Sequence, residues 1–190
     1  MLNSNCMTPQ QKLFLPPFCK AVLEWEATQT LPFKRVLSTV TVAQAALETG
    51  WGKSSLCKVN NYGGIKWHIP GWPPLEKPTT EVYSGKVTPI VDKFQTYPTI
   101  ADFITDHSAV LLRWRCVRDA LGLGVLATCE ALGPWSDADR LAMKAGRADD
   151  CRTSNYSTDP KYGGTLMGII EGISLQKTGQ LEAYAAGTFS

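Results

Sequence analysis

The chain has 190 residues, 44% of them hydrophobic, and 19 basic against 17 acidic residues give a net charge of +2. That size and apolar share fit one domain with an ordinary core and exclude a disordered chain. The near-balanced charge excludes nucleic-acid binding driven by bulk basicity, and no apolar run reaches membrane-spanning length.

Six cysteines, Cys6, Cys19, Cys57, Cys116, Cys129 and Cys151, include no CxxC pair, and only two histidines are present. The expectation is therefore no metal site and no cofactor. The cysteines read equally as buried free thiols or as one or two disulfides of an oxidising compartment. At the N-terminus, Leu13-Phe14-Leu15 is apolar but is cut short by Pro16-Pro17. A signal peptide is not expected.

In chain order, Thr8-Pro9-Gln10-Gln11 predicts a helix start, with Thr8 as cap, Pro9 in the first turn and Gln11 completing a capping box. The pair Pro16-Pro17 is expected to break or restart that helix. A second helix is predicted over roughly Phe33 to Thr49, with Val36, Val40, Ala43 and Leu47 as one buried stripe. Ala45 and Ala46 permit close packing there. Gly50 ends the helix as glycine does at C′. Glu48 lies on its last turn, about 100° around the axis from Leu47. A carboxylate there meets the negative end of the helix dipole, and Leu47 and Trp51 add desolvation. Both raise its pKa, which a general acid needs. Taken alone, an ordinary exposed glutamate is the better reading of Glu48.

Residues 58 to 78 read as loop, with turn chemistry at Asn60-Asn61 and Gly63-Gly64 and Pro70, Pro73, Pro74 and Pro78 opposing a regular strand. Trp67 and Trp72 in this loop are either a lid over the core or platforms for sugar rings, whose CH faces pack on aromatics. A β-hairpin is expected next, from Thr79 to Tyr83 and from Val87 to Tyr97 around Ser84-Gly85-Lys86. Glu81 sits on its first strand. From Thr99 to Trp114 a helix places His107 on an apolar stripe, as a core histidine rather than a catalyst. Short helical pieces broken by Gly122, Gly124 and Gly133-Pro134 follow, with a helix start at Ser136-Asp137. Thr158 or Asp159 is expected to cap a last helix through Leu166, Ile169, Ile170 and Ile173. The tail, about 176–190, reads as loosely attached. The fold class predicted is α+β, mostly α: one domain over 1–190 with a small β-lobe at about 79–97.

Three separated segments resemble one family. Ala43-Gln44-Ala45-Ala46-Leu47-Glu48-Thr49-Gly50-Trp51-Gly52 resembles the AQAALESGWG signature of the family 73 glycoside hydrolases, bacterial peptidoglycan N-acetylglucosaminidases with a lysozyme-like fold. Asn61-Tyr62-Gly63-Gly64-Ile65-Lys66 is similar to their NLFGIK segment, and Tyr156-Ser157-Thr158-Asp159-Pro160-Lys161-Tyr162 to their YATDPxY segment. Thr80 to Lys86 and Lys93 to Tyr97 match the family's β-lobe hairpin. Order and spacing agree over roughly residues 8 to 175.

Carried over position by position, the resemblance implies Glu48 as catalytic acid, Glu81 as second carboxylate and Tyr156 as active-site tyrosine. Asn61, Gly64, Lys66, Trp67, Trp72 and Asp159 are the implied substrate-binding residues. Gly63 stands where the family has an aromatic residue, which is expected to open the cleft floor near Lys66. The implied reaction is hydrolysis of the β-1,4 bond between N-acetylglucosamine and N-acetylmuramic acid. The alternatives are a muramidase or lytic transglycosylase on the same fold, or an inactive glycan-binding module. Peptidoglycan strands are the expected partner, together with an immunity protein occluding the cleft; nucleic acid and membrane insertion are not expected. The expected setting is synthesis in the cytoplasm without a signal peptide and action in the periplasm or cell wall, as an interbacterial effector or, alternatively, a phage lysin.

Overall fold

The structure, a computed structural model, describes residues 7–83, 86–133, 157, 159 and 161–189; the side chains at 81–83, 86–87 and 115 are outside that description. Helix α1 (Pro9–Thr28) starts with the expected capping box between Thr8 and Gln11. It then runs unbroken through Pro16 and Pro17, against expectation. The carbonyls that lose partners belong to Lys12 and Leu13, both exposed residues on the solvent side of the helix. The buried stripe Phe14, Leu15, Phe18, Cys19, Val22 and Trp25 supplies packing that outweighs the proline cost of about 3 kcal/mol.

Helix α2 (Lys34–Thr49) is the axis of the molecule. It is enclosed on every side from Leu37 to Ala46, polar Ser38, Thr39, Thr41 and Gln44 included. The single stripe anticipated from the sequence is therefore too narrow, and Val36 and Leu47 are only partly buried. Gly50 ends α2 in the left-handed region at φ 56°. Trp51 follows at φ 63° and Gly52 at φ 80°. Trp51 holds this uncommon conformation through its N–H to the Ala46 carbonyl at 2.8 Å, and its carbonyl accepts from Gln10 Nε2 at 2.8 Å. A Cβ on Gly52 would stand 3.2 Å from the Phe14 ring.

A 3-10 turn at Ser55–Val59 leads into the loop before strands β1 (Leu75–Tyr83) and β2 (Lys86–Phe94), an antiparallel two-stranded sheet. The first strand starts earlier than anticipated and includes Pro78. In a sheet of two, each strand is an edge, so a residue without an N–H is tolerated. Leu75, Lys77, Thr79, Thr88, Ile90 and Asp92 lie on the half-covered face, while Glu76, Pro78, Thr80, Pro89, Val91 and Lys93 are exposed. The lobe is tied to the body by the Trp67 N–H to the Lys93 carbonyl, Gln95 N–H to Ile65 and Tyr97 N–H to Val59.

Helix α3 (Ile100–Arg113) opens on a second capping box, Thr99 with Asp102, and buries Phe103, Ile104, His107 and Leu111. His107 is core as expected, and burial pushes its imidazole down to about 4. Helices α4 (Arg115–Leu123) and α5 (Val125–Ala131) are separated at Gly124, φ 111°, whereas Gly122 lies inside α4. The Ser136-Asp137 helix start lies outside the described residues. Helices α6 (Tyr162–Gly172) and α7 (Gln180–Ala185) close the chain. Helices α1, α3, α5 and α6 all pack on α2.

The tail is docked, contrary to the loose attachment read from its weak periodicity. Leu181 and Tyr184 are 1% and 3% exposed, and α7 packs on α1. The Tyr184 hydroxyl donates to the Ile173 carbonyl at 2.6 Å, and Arg35 pairs with Glu182 at 2.7 Å. Six residues are too few for periodicity to register, and the anchors are long-range. Leu181→Ala is expected to cost about 2–4 kcal/mol, lowering the melting midpoint by roughly 5–15 °C. An unchanged midpoint would restore the loose-tail reading.

Both cysteine readings hold in part. Cys19 and Cys129 are buried free thiols pushed up to about 12, chiefly by burial. Cys57 is free and half-buried. Cys116 is disulfide-bonded, and its partner lies outside the described residues.

Candidate active site

Glu48 stands on the last turn of α2, where the chain must turn sharply at Gly50. Thr49 locks that turn: its hydroxyl donates to the Ala45 carbonyl at 2.5 Å and accepts from the Gly52 N–H at 2.8 Å. The buried body of α2 thus ends in a fixed platform with one carboxylate on it. Glu48 as a residue is exposed, but its carboxyl end is partly enclosed where the Tyr162 hydroxyl donates to Oε1 at 2.7 Å. Desolvation raises the carboxyl above its ordinary value, and the Tyr162 hydrogen bond opposes this by favouring the charged form. The outcome is a solvent-reachable carboxyl that holds its proton to a higher pH than an ordinary glutamate, the direction a general acid needs.

Tyr162 is the first residue of α6 and is buried at 6% exposure. It is aimed by the turn before it. The Asp159 carbonyl accepts from the Tyr162 N–H at 3.0 Å, and Asp159 Oδ1 accepts from the Lys161 N–H at 2.9 Å. Ser157 Oγ accepts from the Asp159 N–H at 3.1 Å, and the Ser157 N–H donates to the Leu132 carbonyl. Asp159 is exposed and works here as a turn-former; the cap position itself is Lys161. On its other side the Tyr162 oxygen accepts from Gln44 Nε2 at 3.2 Å. Sequence reading missed both Tyr162 and Gln44. Each lies inside a motif that pointed to the site: Tyr162 ends the Tyr156–Tyr162 segment, and Gln44 is one helical turn before Glu48.

The residues from the 61–72 loop gather around the end of β2. Asn61 is fully buried, its Nδ2 spent on the Ile65 and Gln95 carbonyls and its Oδ1 on the Ile65 and Gly63 N–H groups. It holds the loop in shape and leaves no polar atom for a ligand, which corrects its assignment as a substrate contact. Gly64 is required by its backbone, φ 62°, with open space where a Cβ would stand. Lys66 is ion-paired with Asp92, holding that carboxyl below its usual range, and lies 4.5 Å over the Phe94 ring. Trp67 is 36% exposed, and its indole N–H donates to the Trp72 carbonyl at 2.9 Å. Trp72 is half-buried, edge-on to Tyr97 with ring centroids 5.7 Å apart. Trp67 is thus the more available aromatic face. Gln95, also missed, organises this loop from a fully buried position, its Oε1 accepting from the His68 and Ile69 N–H groups.

Gly63 does not open a cleft floor. A Cβ there would stand 3.3 Å from the Phe103 ring and 3.4 Å from His107, so the position faces α3. Glu81 stands in register with Thr88 across the hairpin; its side chain, and Tyr156 altogether, lie outside the described residues. A cavity of about 340 Å³ lined by Arg35, Val36, Thr39, Lys177 and Glu182 lies at the other end of α2. At 1.5 Å per residue that is about 20 Å from Glu48, too far to serve it. Among the described residues no cluster of His, Cys, Asp or Glu could hold a metal ion.

Comparison with known proteins adds three findings. The glucosaminidase family, described as mannosyl-glycoprotein endo-beta-N-acetylglucosaminidase, matches residues 26–175. The exo-glucosaminidase LytG of Bacillus subtilis is 32% identical over 75% of this chain and 46% of its own length, and an autolysin of Enterococcus faecalis is 30% identical over 73% of this chain and 17% of its own length. This chain thus spans less than half of either relative. The catalytic domain of the autolysin Auto from Listeria monocytogenes superposes with a TM-score of 0.63 at 20% identity, covering 89% of this chain and 87% of that one.

Proposed function

Because this chain belongs to the glucosaminidase family, we propose that it is a glycoside hydrolase that cleaves peptidoglycan at the β-1,4 bond between N-acetylglucosamine and N-acetylmuramic acid, with Glu48 as general acid. The observation that carries this reading is the Glu48 carboxyl: reachable by solvent, raised by desolvation and held by Tyr162. Such a group protonates the glycosidic oxygen as the bond to the anomeric carbon breaks.

The second half of the reaction has two routes. Glu81 activates a water from the opposite face, giving inversion, for which carboxylates stand roughly 6.5–9.5 Å apart. Alternatively the substrate's own 2-acetamido group attacks, with Tyr156 steadying it. NMR of the first-formed anomer separates inversion from retention. Trp67, Lys66, Trp72 and Asp159 remain the proposed sugar contacts. Gly64 joins them as the point where a backbone with open space above it lets a sugar approach.

Product mass spectrometry tests the proposal on purified peptidoglycan. Fragments ending in reducing N-acetylglucosamine are the expected result. Reducing or anhydro N-acetylmuramic acid would replace the bond assignment by a muramidase or transglycosylase one, and binding without release would leave a glycan-binding module.

Action in the cell wall or periplasm follows from that substrate, and the Cys116 disulfide supports an oxidising compartment. The finer setting proposed is an effector delivered into a rival cell, with a phage lysin as alternative. An effector requires an immunity protein covering Glu48 in its producer. Periplasmic expression that lyses cells, prevented by co-expressing the neighbouring gene, would support the effector; lysis that no neighbour prevents would favour the lysin.

A further inference from the structure

We propose that Gln44 is a positioning residue for this site: it holds the Tyr162 hydroxyl in the orientation that donates to Glu48. The inference rests on the glycosidase reading only for its consequence in catalysis; the geometry stands without it.

A tyrosine hydroxyl has one proton to give and can accept in return. Gln44 Nε2 donates to the Tyr162 oxygen at 3.2 Å, and the Tyr162 proton goes to Glu48 Oε1 at 2.7 Å. The chain of bonds therefore runs one way, from amide to phenol to carboxyl. Gln44 and Glu48 are one turn apart on α2, so they share a face and meet the same ring on α6.

Gln44 is fully buried, and its Oε1 has no partner among the described residues. A buried amide with an unspent acceptor is a poor stabilising device, since the unmet group costs free energy that a methionine of similar shape would not incur. What Gln44 retains is its bond to Tyr162. By donating to the phenol oxygen it polarises the O–H toward Glu48 and stops that bond from rotating away. The carboxylate left when Glu48 gives up its proton is the species this arrangement stabilises. Among the described residues, burial and the Tyr162 bond are the causes acting on Glu48, and no charged side chain of the described parts of α1, α3, α5 or α6 adds to them.

The test is a carboxyl ¹³C NMR titration of Glu48 in wild type, Gln44→Met, Tyr162→Phe and the double variant. Gln44→Met is expected to raise the Glu48 midpoint by roughly 0.3–0.5 pH units, Tyr162→Phe by more, and the double variant no further than Tyr162→Phe alone. The melting midpoint of Gln44→Met should equal or exceed that of wild type. Gln44→Glu is the second variant. Its carboxylate would draw the Tyr162 proton away from Glu48 and raise the midpoint at least as far. An unmoved Glu48 midpoint in both variants would overturn the inference, as would an equal shift in the Tyr162→Phe background. The high-pH limb of peptidoglycan hydrolysis should move up with the Glu48 midpoint, because a general acid acts protonated. If the wild type hydrolyses no peptidoglycan, the glycosidase reading fails while the titration still decides the role of Gln44.

Discussion

Glu48→Gln is expected to reduce peptidoglycan hydrolysis by about 10²–10⁴-fold without loss of fold, and to leave the protein as stable as wild type or more so at neutral pH. The activity loss follows because an amide has no proton to deliver to the leaving oxygen at any accessible pH. The stability gain follows from the sign of the shift. Desolvation raises the folded-state pKa of Glu48, so folding favours the protonated form and the ionised carboxyl is a burden. Stability associated with Glu48 is present below its unfolded pKa and is lost as pH rises through the folded one. The glutamine, which still accepts from Tyr162, avoids that loss. The melting difference between variant and wild type should therefore be largest at pH 7 and shrink as pH falls through the carboxylate range. Melting curves and reducing-sugar release at matched pH values read both effects. Turnover near the wild-type rate would remove Glu48 from the mechanism.

The helix end that carries Glu48 was legible in the sequence because its setting is local, whereas the proposed acid role came from the motif resemblance. The α2 pattern, the glycine after Thr49 and the aromatic Trp51 all lie within a few residues of Glu48. The capping box at Thr8 was legible for the same reason, needing only four consecutive residues. What escaped were facts that depend on distant partners. Pro16 and Pro17 stay helical because α1 is packed on the core from Phe14 to Glu26. Pro78 sits in a strand because the sheet stops at two. Leu181 and Tyr184 are core because α1 lies under them. Tyr162 reaches Glu48 across a sequence distance that no periodicity can report. Asn61 was legible as important but not as structural: a motif marks a position, and only its buried hydrogen bonds reveal what it does.

Gly163→Ala is expected to destabilise the protein and impair catalysis together, although it adds a single methyl to a helix. A Cβ at Gly163 would lie 2.6 Å from the Cys129 carbonyl oxygen and 3.1 Å from its carbon. Both are backbone atoms of α5 and cannot turn aside as a side chain end would. Helix α6 must therefore move off α5, an overpacking cost of about 1–3 kcal/mol, partly offset by the better helix propensity of alanine. Gly164 is the internal control. A Cβ there meets nothing within 4 Å, so Gly164→Ala should raise the melting midpoint by roughly 1–3 °C where Gly163→Ala lowers it by several. The displaced helix begins with Tyr162, whose hydroxyl is 2.7 Å from Glu48, so a shift of even part of an ångström lengthens that bond. Misplacement of about 1 Å near a reacting group can cost up to about 10²-fold in rate, and roughly tenfold is expected here. Equal midpoints and equal rates for the two alanine variants would mean that the α5–α6 contact yields freely and does not hold Tyr162 on the acid.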